Sequence, residues 1–207
     1  MIHSSGVSVS YIETKKADKK RRILEAATKV FADKGFYNAK ISQIAEEANV
    51  ADGTIYLYFN SKDDLLIRIF EDAMNLVIST QSETLSTLNS ASERLMMFAK
   101  NHATYVNENP DLAGLIQLEI RQSNKFMKDY DNKKFASFLN IIAETVVYGQ
   151  ERGEFSQDLN RHVIKQAIFG SLDEIATQWL FLPEEKRFDL EKALERFMTI
   201  FVKGLKS

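Results

Sequence analysis

Residues able to do covalent chemistry are sparse in this chain. Its 207 residues include no cysteine and only three histidines. His3, His102 and His162 are scattered without metal-ligand spacing, and no glycine-rich run offers to cradle a phosphate. Thiolate nucleophiles, disulfides and cysteine-held metals are excluded. The constellation that stands out is Gly53, Thr54, Tyr56, Leu57 and Tyr58, with Lys62 just beyond. At about 100° per residue, a helix over 52–59 turns Ile55 and Phe59 to one side. Gly53, Thr54 and Leu57 then face away, with Tyr56 and Tyr58 at the edges. Such a surface suits a DNA duplex. Small residues let the backbone approach the groove, free amides and tyrosine hydroxyls bond phosphate oxygens, and a leucine can meet a thymine methyl. Lys62 is placed for a further phosphate. The same tyrosines would serve equally as half-buried packing, and spacing alone does not separate the two.

The elements that must position these residues are helical. Ile23, Ala26, Ala27, Val30 and Phe31 fall at i, i+3, i+4, i+7 and i+8, an apolar stripe whose opposite face includes Lys19, Lys20, Arg21 and Arg22. Gly35 suits the left-handed residue that ends such a helix. Two short periodic pieces follow, 41–48 and 52–59, joined by Asn49-Val50-Ala51. Ser61 is a candidate cap for a long helix reaching about Thr87, with Asp63 and Asp64 in its first turn. Further helices are expected at 91–107, 110–124, 126–152, 161–181 and 189–205, with Asn109 and Asp189 as candidate caps. The expectation is an all-α chain of about nine helices: a flexible tail over 1–16, a three-helix domain over 17–62, and a larger helical domain over 63–207.

Composition agrees with that class. Hydrophobic residues make up 44% and charged residues 27%, and only 8 Gly and 2 Pro occur, which disfavours turn-rich β architectures. No stretch resembles a signal peptide or could span a bilayer, so a cytoplasmic protein without membrane attachment is expected. Net charge is −2, but residues 1–62 carry 10 Lys/Arg against 7 Asp/Glu while the remainder is acidic. A basic end on an acidic body suits a protein that meets a polyanion at one end, although a solvated face would look the same.

The run Ile44-Ala45-Glu46-Glu47-Ala48-Asn49-Val50-Ala51-Asp52-Gly53-Thr54-Ile55-Tyr56-Leu57-Tyr58-Phe59-Asn60-Ser61-Lys62, with Phe31-Ala32-Asp33-Lys34-Gly35-Phe36 upstream, resembles the DNA-binding domain of the TetR family of bacterial repressors. The resemblance implies Ser42, Gly53, Thr54, Tyr56, Tyr58 and Lys62 as DNA contacts. Two positions depart from the pattern: Lys40 and Ala51 stand where the family often has the N-caps Thr and Ser. Asn38 is a candidate substitute cap, and Lys40 is expected to reach a phosphate instead. The resemblance further implies a homodimer on near-palindromic operator DNA, paired through its last two helices. Val163, Ala167, Phe169, Gly170 and Leu172, then Leu190, Leu194, Phe197, Ile200 and Phe201, would supply that interface, although burial within one chain would account for the same stripes.

The larger domain is rich in apolar side chains such as Phe138, and Arg121, Lys125 and Lys128 would share one helical face. The strings 117–124 and 169–179 resemble those of TetR-type repressors of fatty-acid degradation, which respond to long-chain acyl-coenzyme A. That narrower resemblance implies no cofactor but an effector, with Gln117, Arg121, Asn124, Phe138, Phe169, Asp173 and Trp179 as its contacts. Arg121 would hold nucleotide phosphates, unless it pairs internally with Asp173 or Glu119. A TetR-type repressor sensing a different apolar ligand of the multidrug kind is the alternative, with an acyl-CoA-using enzyme as a remote third option.

Overall fold

The computed structural model describes residues 5–117 and 133–206, and every described element is helical. In chain order these are α1 (Ser5–Lys34), α2 (Ile41–Glu47), α3 (Asp52–Ile55), α4 (Lys62–Ser86), α5 (Ala91–Glu108), α6 (Pro110–Leu115), α7 (Lys133–Glu151), α8 (Arg161–Phe181), a 3-10 turn (Glu184–Lys186) and α9 (Leu190–Leu205). The all-α expectation holds, with nine α-helices among the described residues. The main difference is at the start, where the segment expected as a tail is helical from Ser5 and continuous with α1. No proline interrupts it, and extending an existing helix needs no new nucleus.

Local chemistry explains most boundaries. Gly35, at φ 75°, closes α1. Ser61 Oγ accepts the Asp64 N–H, Asn160 Oδ1 accepts those of His162 and Val163, and Asp189 accepts that of Lys192. Leu182 adopts extended ψ before Pro183 and ends α8. Asn109 does not cap α6. Its Nδ2 donates to Tyr105 O and closes α5 instead, leaving Pro110 to start α6 by its fixed φ.

Two apolar clusters fill the interior. The first joins α1, α2 and α3 to the front half of α4, through Ile23, Phe31, Ile44, Ile55, Leu65 and Phe70, and takes in Leu115 and Ile116. The second is formed by the rest of α4 with α5, α7, α8 and α9 around Phe98, Ile142, Ile168, Leu172 and Leu194. Helix α4 crosses from one cluster to the other, and α6 touches both. The N-terminal helices and the larger bundle therefore share two elements.

The bundle is locked where α5, α7 and the following loop meet. A Cβ on Gly149 would lie 2.3 Å from Phe155 Cδ2 and 2.8 Å from Ala91 Cβ, and both neighbours are fully buried. Next to it, Glu154 caps α5 from 60 residues downstream, accepting the Ala91 and Ser92 N–H groups and the Ser90 hydroxyl. Burial alone would raise its pKa. The three hydrogen bonds and nearby Arg152 outweigh that and hold it below the ordinary 4.5. Gly149→Ala should cost about 1–3 kcal/mol in denaturant unfolding, as an overpacked core site does. The Glu154 contribution is present above the unfolded-state pKa and lost as pH falls through the lower folded one. Glu154→Gln should therefore flatten the stability profile below about pH 5 in thermal melts taken across pH.

Candidate nucleic-acid interface and effector cavity

The helix-turn-helix is built without the usual hydroxyl caps. Lys40 occupies the α2 N-cap position in extended conformation, and its N–H is taken by Gln43 Oε1 at 3.0 Å. Asn38 is no substitute cap: its Nδ2 donates to Lys34 O at the end of α1. Asn49 makes the turn at φ 51°, a left-handed conformation that asparagine tolerates, and Val50 N–H returns to Ala45 O. The second piece is shorter than expected. Only Asp52–Ile55 is α-helical, and the chain then tightens through Leu57 N–H to Thr54 O and Tyr58 N–H to Ile55 O. Facing still follows the spacing. Ile55 and Phe59 are buried, Gly53 is exposed, Tyr56 and Leu57 are 58% and 78% exposed, and Thr54 and Tyr58 are half-buried. Tyr58 packs on the first cluster, so its ring serves partly as structure. Lys40 and Ser42 are exposed on the same module. Tyr37, 74% exposed and edge-on to Phe36 at 5.5 Å, lies beside them and was missed because nothing periodic marks a loop residue.

Lys62 is placed differently from expectation. Its ammonium donates to Phe36 O at 2.7 Å, Ala39 O at 3.0 Å and Tyr37 O at 3.2 Å, and lies 4.6 Å from the Phe36 ring centroid. An ammonium has three N–H donors, and all three are occupied. The group expected on a phosphate instead ties the α1–α2 loop to the first turn of α4. A cation there opposes the helix dipole, and Asp63 and Asp64 in the same turn offset it.

A cavity of about 40 Å³ lies between α4, α5, α6, α7 and α8. Its body is aromatic. Phe169 meets Phe135 and Phe138 edge-on at 5.4 and 5.7 Å, and Phe138 stacks on Phe98 at 5.3 Å. Polar side chains border it, although almost all of its lining surface is apolar. Gln117 Nε2 donates to the Asp173 carboxylate, and His102 lines the wall. Tyr105 Oη is buried without a hydrogen-bond partner among the described residues, and burial pushes its phenol pKa well above 10. On the far side of α6 a second cavity, of about 280 Å³, separates α1 from α8, and Gln117 borders both.

Residues 23–69 match the family model described as "Bacterial regulatory proteins, tetR family", and residues 70–204 match "YsiA-like protein, C-terminal region". The Fatty acid metabolism regulator protein of Bacillus subtilis is 33% identical over 92% of this chain and 97% of its own length. The chain belongs to the TetR family of bacterial regulators. Among solved structures, the fatty acid degradation regulator FadR of Bacillus halodurans superposes with a TM-score of 0.83 at 34% identity, covering 90% of this chain and 96% of that one. FadR of Bacillus subtilis in complex with stearoyl-CoA superposes at 0.82 with 33% identity, covering 89% and 98%.

As a TetR-family regulator the chain binds DNA through the helix-turn-helix just described. Gln117, Phe138, Phe169 and Asp173 meet at the cavity. Trp179 does not: six residues beyond Asp173, it is turned by about 240° around α8. There its Nε1 donates to Phe188 O at 2.7 Å, and Arg187 lies over its ring. It anchors the α8–α9 connection. Arg121 and Asn124, with Glu119, Lys125 and Lys128, lie outside the described residues. Of the interface set, Phe169, Leu172, Leu190 and Leu194 are buried within the single chain, whereas Val163, Ala167, Gly170 and Ile200 are exposed and Phe197 and Phe201 half-buried. The Lys62 geometry separates two outcomes. Lys62→Ala should cost about 1–3 kcal/mol in thermal or denaturant unfolding, since it orphans backbone carbonyls. It should leave the salt dependence of DNA binding unchanged, where loss of a phosphate contact would lower the slope by about one.

Proposed function

We propose that this chain represses genes of fatty-acid degradation. In this reading it acts in the cytoplasm, binds near-palindromic operator DNA as a homodimer, and releases it when a long-chain acyl-coenzyme A enters the aromatic cavity. The observation that carries the reading is the cavity itself, an almost wholly apolar space bordered by Gln117 and Asp173, in a chain with the FadR likenesses given above. Tyr56, Leu57, Gly53 and Thr54 enter the major groove, with Lys40, Ser42, Tyr37 and the Tyr58 hydroxyl on its phosphate borders. The exposed apolar side chains of Val163 on α8 and Ile200 on α9, 62% and 73% accessible, support pairing through these helices. Pairing sets the two recognition segments roughly 34 Å apart, one turn of B-DNA.

Release follows from the shared elements. A cavity of about 40 Å³ is far below the ~300 Å³ of an ordinary ligand pocket, so an acyl chain enters only by parting the Phe135, Phe138 and Phe169 rings. Ala113 of α6 and Val77 of α4 line that cavity, while Leu115 and the front of α4 belong to the DNA-side cluster. Expansion therefore shifts α6 and α4 against α1 and respaces the recognition segments. Binding of DNA and effector must weaken each other by the same factor, typically about 1–3 kcal/mol. A mobility-shift assay with an operator-bearing fragment checks this. Stearoyl-CoA should release the DNA, short acyl-CoAs should do so weakly, and free coenzyme A should not. Release by cationic apolar drugs and not by acyl-CoA would overturn the effector assignment while leaving DNA binding intact.

A further inference from the structure

The family model begins at residue 23, but α1 begins at Ser5. What precedes the helix-turn-helix is a rod continuous with its first core helix. Two contacts fix where that rod leaves the module. Arg22 donates to Ala48 O at 2.5 Å, just ahead of the recognition segment, and Lys20 Nζ lies 5.7 Å from the ring centroid of Phe59, just after it. The rod therefore emerges alongside the recognition segment. Lys16, Lys19 and Lys20 stand at i, i+3 and i+4, on one face. Because Lys20 turns that face toward Phe59, Lys16 and Lys19 continue it outward on the same side. Both are exposed, and neither has a partner among the described residues. Asp18, by contrast, is engaged by Arg21 at 2.8 Å. At about 1.5 Å per residue, the stretch from Ser5 to Lys19 is about 22 Å long, some six base pairs of duplex.

We infer that the front of α1 is a second DNA-contacting element, whose Lys16 and Lys19 ammonium groups bind backbone phosphates flanking the bases read by the recognition segment. The occupant is duplex DNA because a lysine-bearing face that leaves the module beside the recognition segment complements a polyanion. A lysine ammonium is a sequence-independent phosphate ligand, so the contribution is to affinity and salt dependence rather than to base choice. The inference rests on the recognition-segment assignment, and the experiment separates the two. Operator binding is measured from about 50 to 300 mM salt for wild type, Lys16→Ala/Lys19→Ala, Lys16→Arg/Lys19→Arg, and the remote control Lys186→Ala/Lys206→Ala. Each lost phosphate contact lowers the slope of log K against log salt by about 0.9, so the alanine pair should lower it by about 1.8 per protomer. The arginine pair and the remote pair should keep the wild-type slope, and all melting temperatures should agree. A wild-type slope in the alanine pair overturns the inference and leaves the recognition segment standing. Tyr56→Ala/Leu57→Ala retaining wild-type operator affinity overturns the assignment on which it rests.

Discussion

One ammonium group holds the reading surface in place. Lys62 spends its three donors on carbonyls of Phe36, Tyr37 and Ala39, fastening the loop that leads into α2 to the first turn of α4. Asn60 also donates to Asp64 in that turn, but most of the rest of the join between α2, α3 and α4 is apolar packing, which is non-directional and tolerates small rotations. Charge-assisted hydrogen bonds are directional, so the clasp fixes an angle as well as a distance. Since α4 then runs into the second cluster, the orientation of Tyr56 and Leu57 is referred to the same helix that walls the cavity.

The bundle uses the same device at its other end, where Glu154 holds the start of α5 through two backbone N–H groups and a hydroxyl. Between these two polar fixings lies an aromatic cluster of edge-on and stacked rings. Rigid ends around a repackable middle make a suitable frame for displacing α6 and α4 together. Gln117 stands at the seam, bonded to Asp173 and bordering the cavities on both sides of α6.

Much of this was legible in the residues. The apolar stripe of α1, the caps at Ser61 and Asp189, and the facing of Ile55, Phe59, Tyr56 and Leu57 all follow from periodicity and local hydrogen bonding. What escaped was tertiary. Lys62 reads as a phosphate ligand because its carbonyl partners are about 25 residues away. Trp179 stands as a ligand contact only through the resemblance of its string, while its phase on α8 turns it away from Asp173. Asn109 and Asn38 both read as N-caps yet donate backward to close the preceding helices, a choice set by the chain entering them. Tyr105 carried no signal at all: a lone tyrosine on an amphipathic helix shows nothing until its surroundings are known to be dry.

The closed packing of Phe135, Phe138 and Phe169 bears on selectivity. Separating those rings forfeits edge-to-face contacts worth about 0.5–1.5 kcal/mol per pair before any guest is accommodated. A guest recovers that loss only by burying surface of its own, at about 0.8 kcal/mol per methylene. On the effector reading proposed above, roughly the first one to four carbons of a guest only offset the loss of the two edge-on pairs, and each further carbon adds to a growing surplus. On that reading a tightly shut interior is a length filter, rejecting short molecules by their want of surface rather than by any group that recognises them.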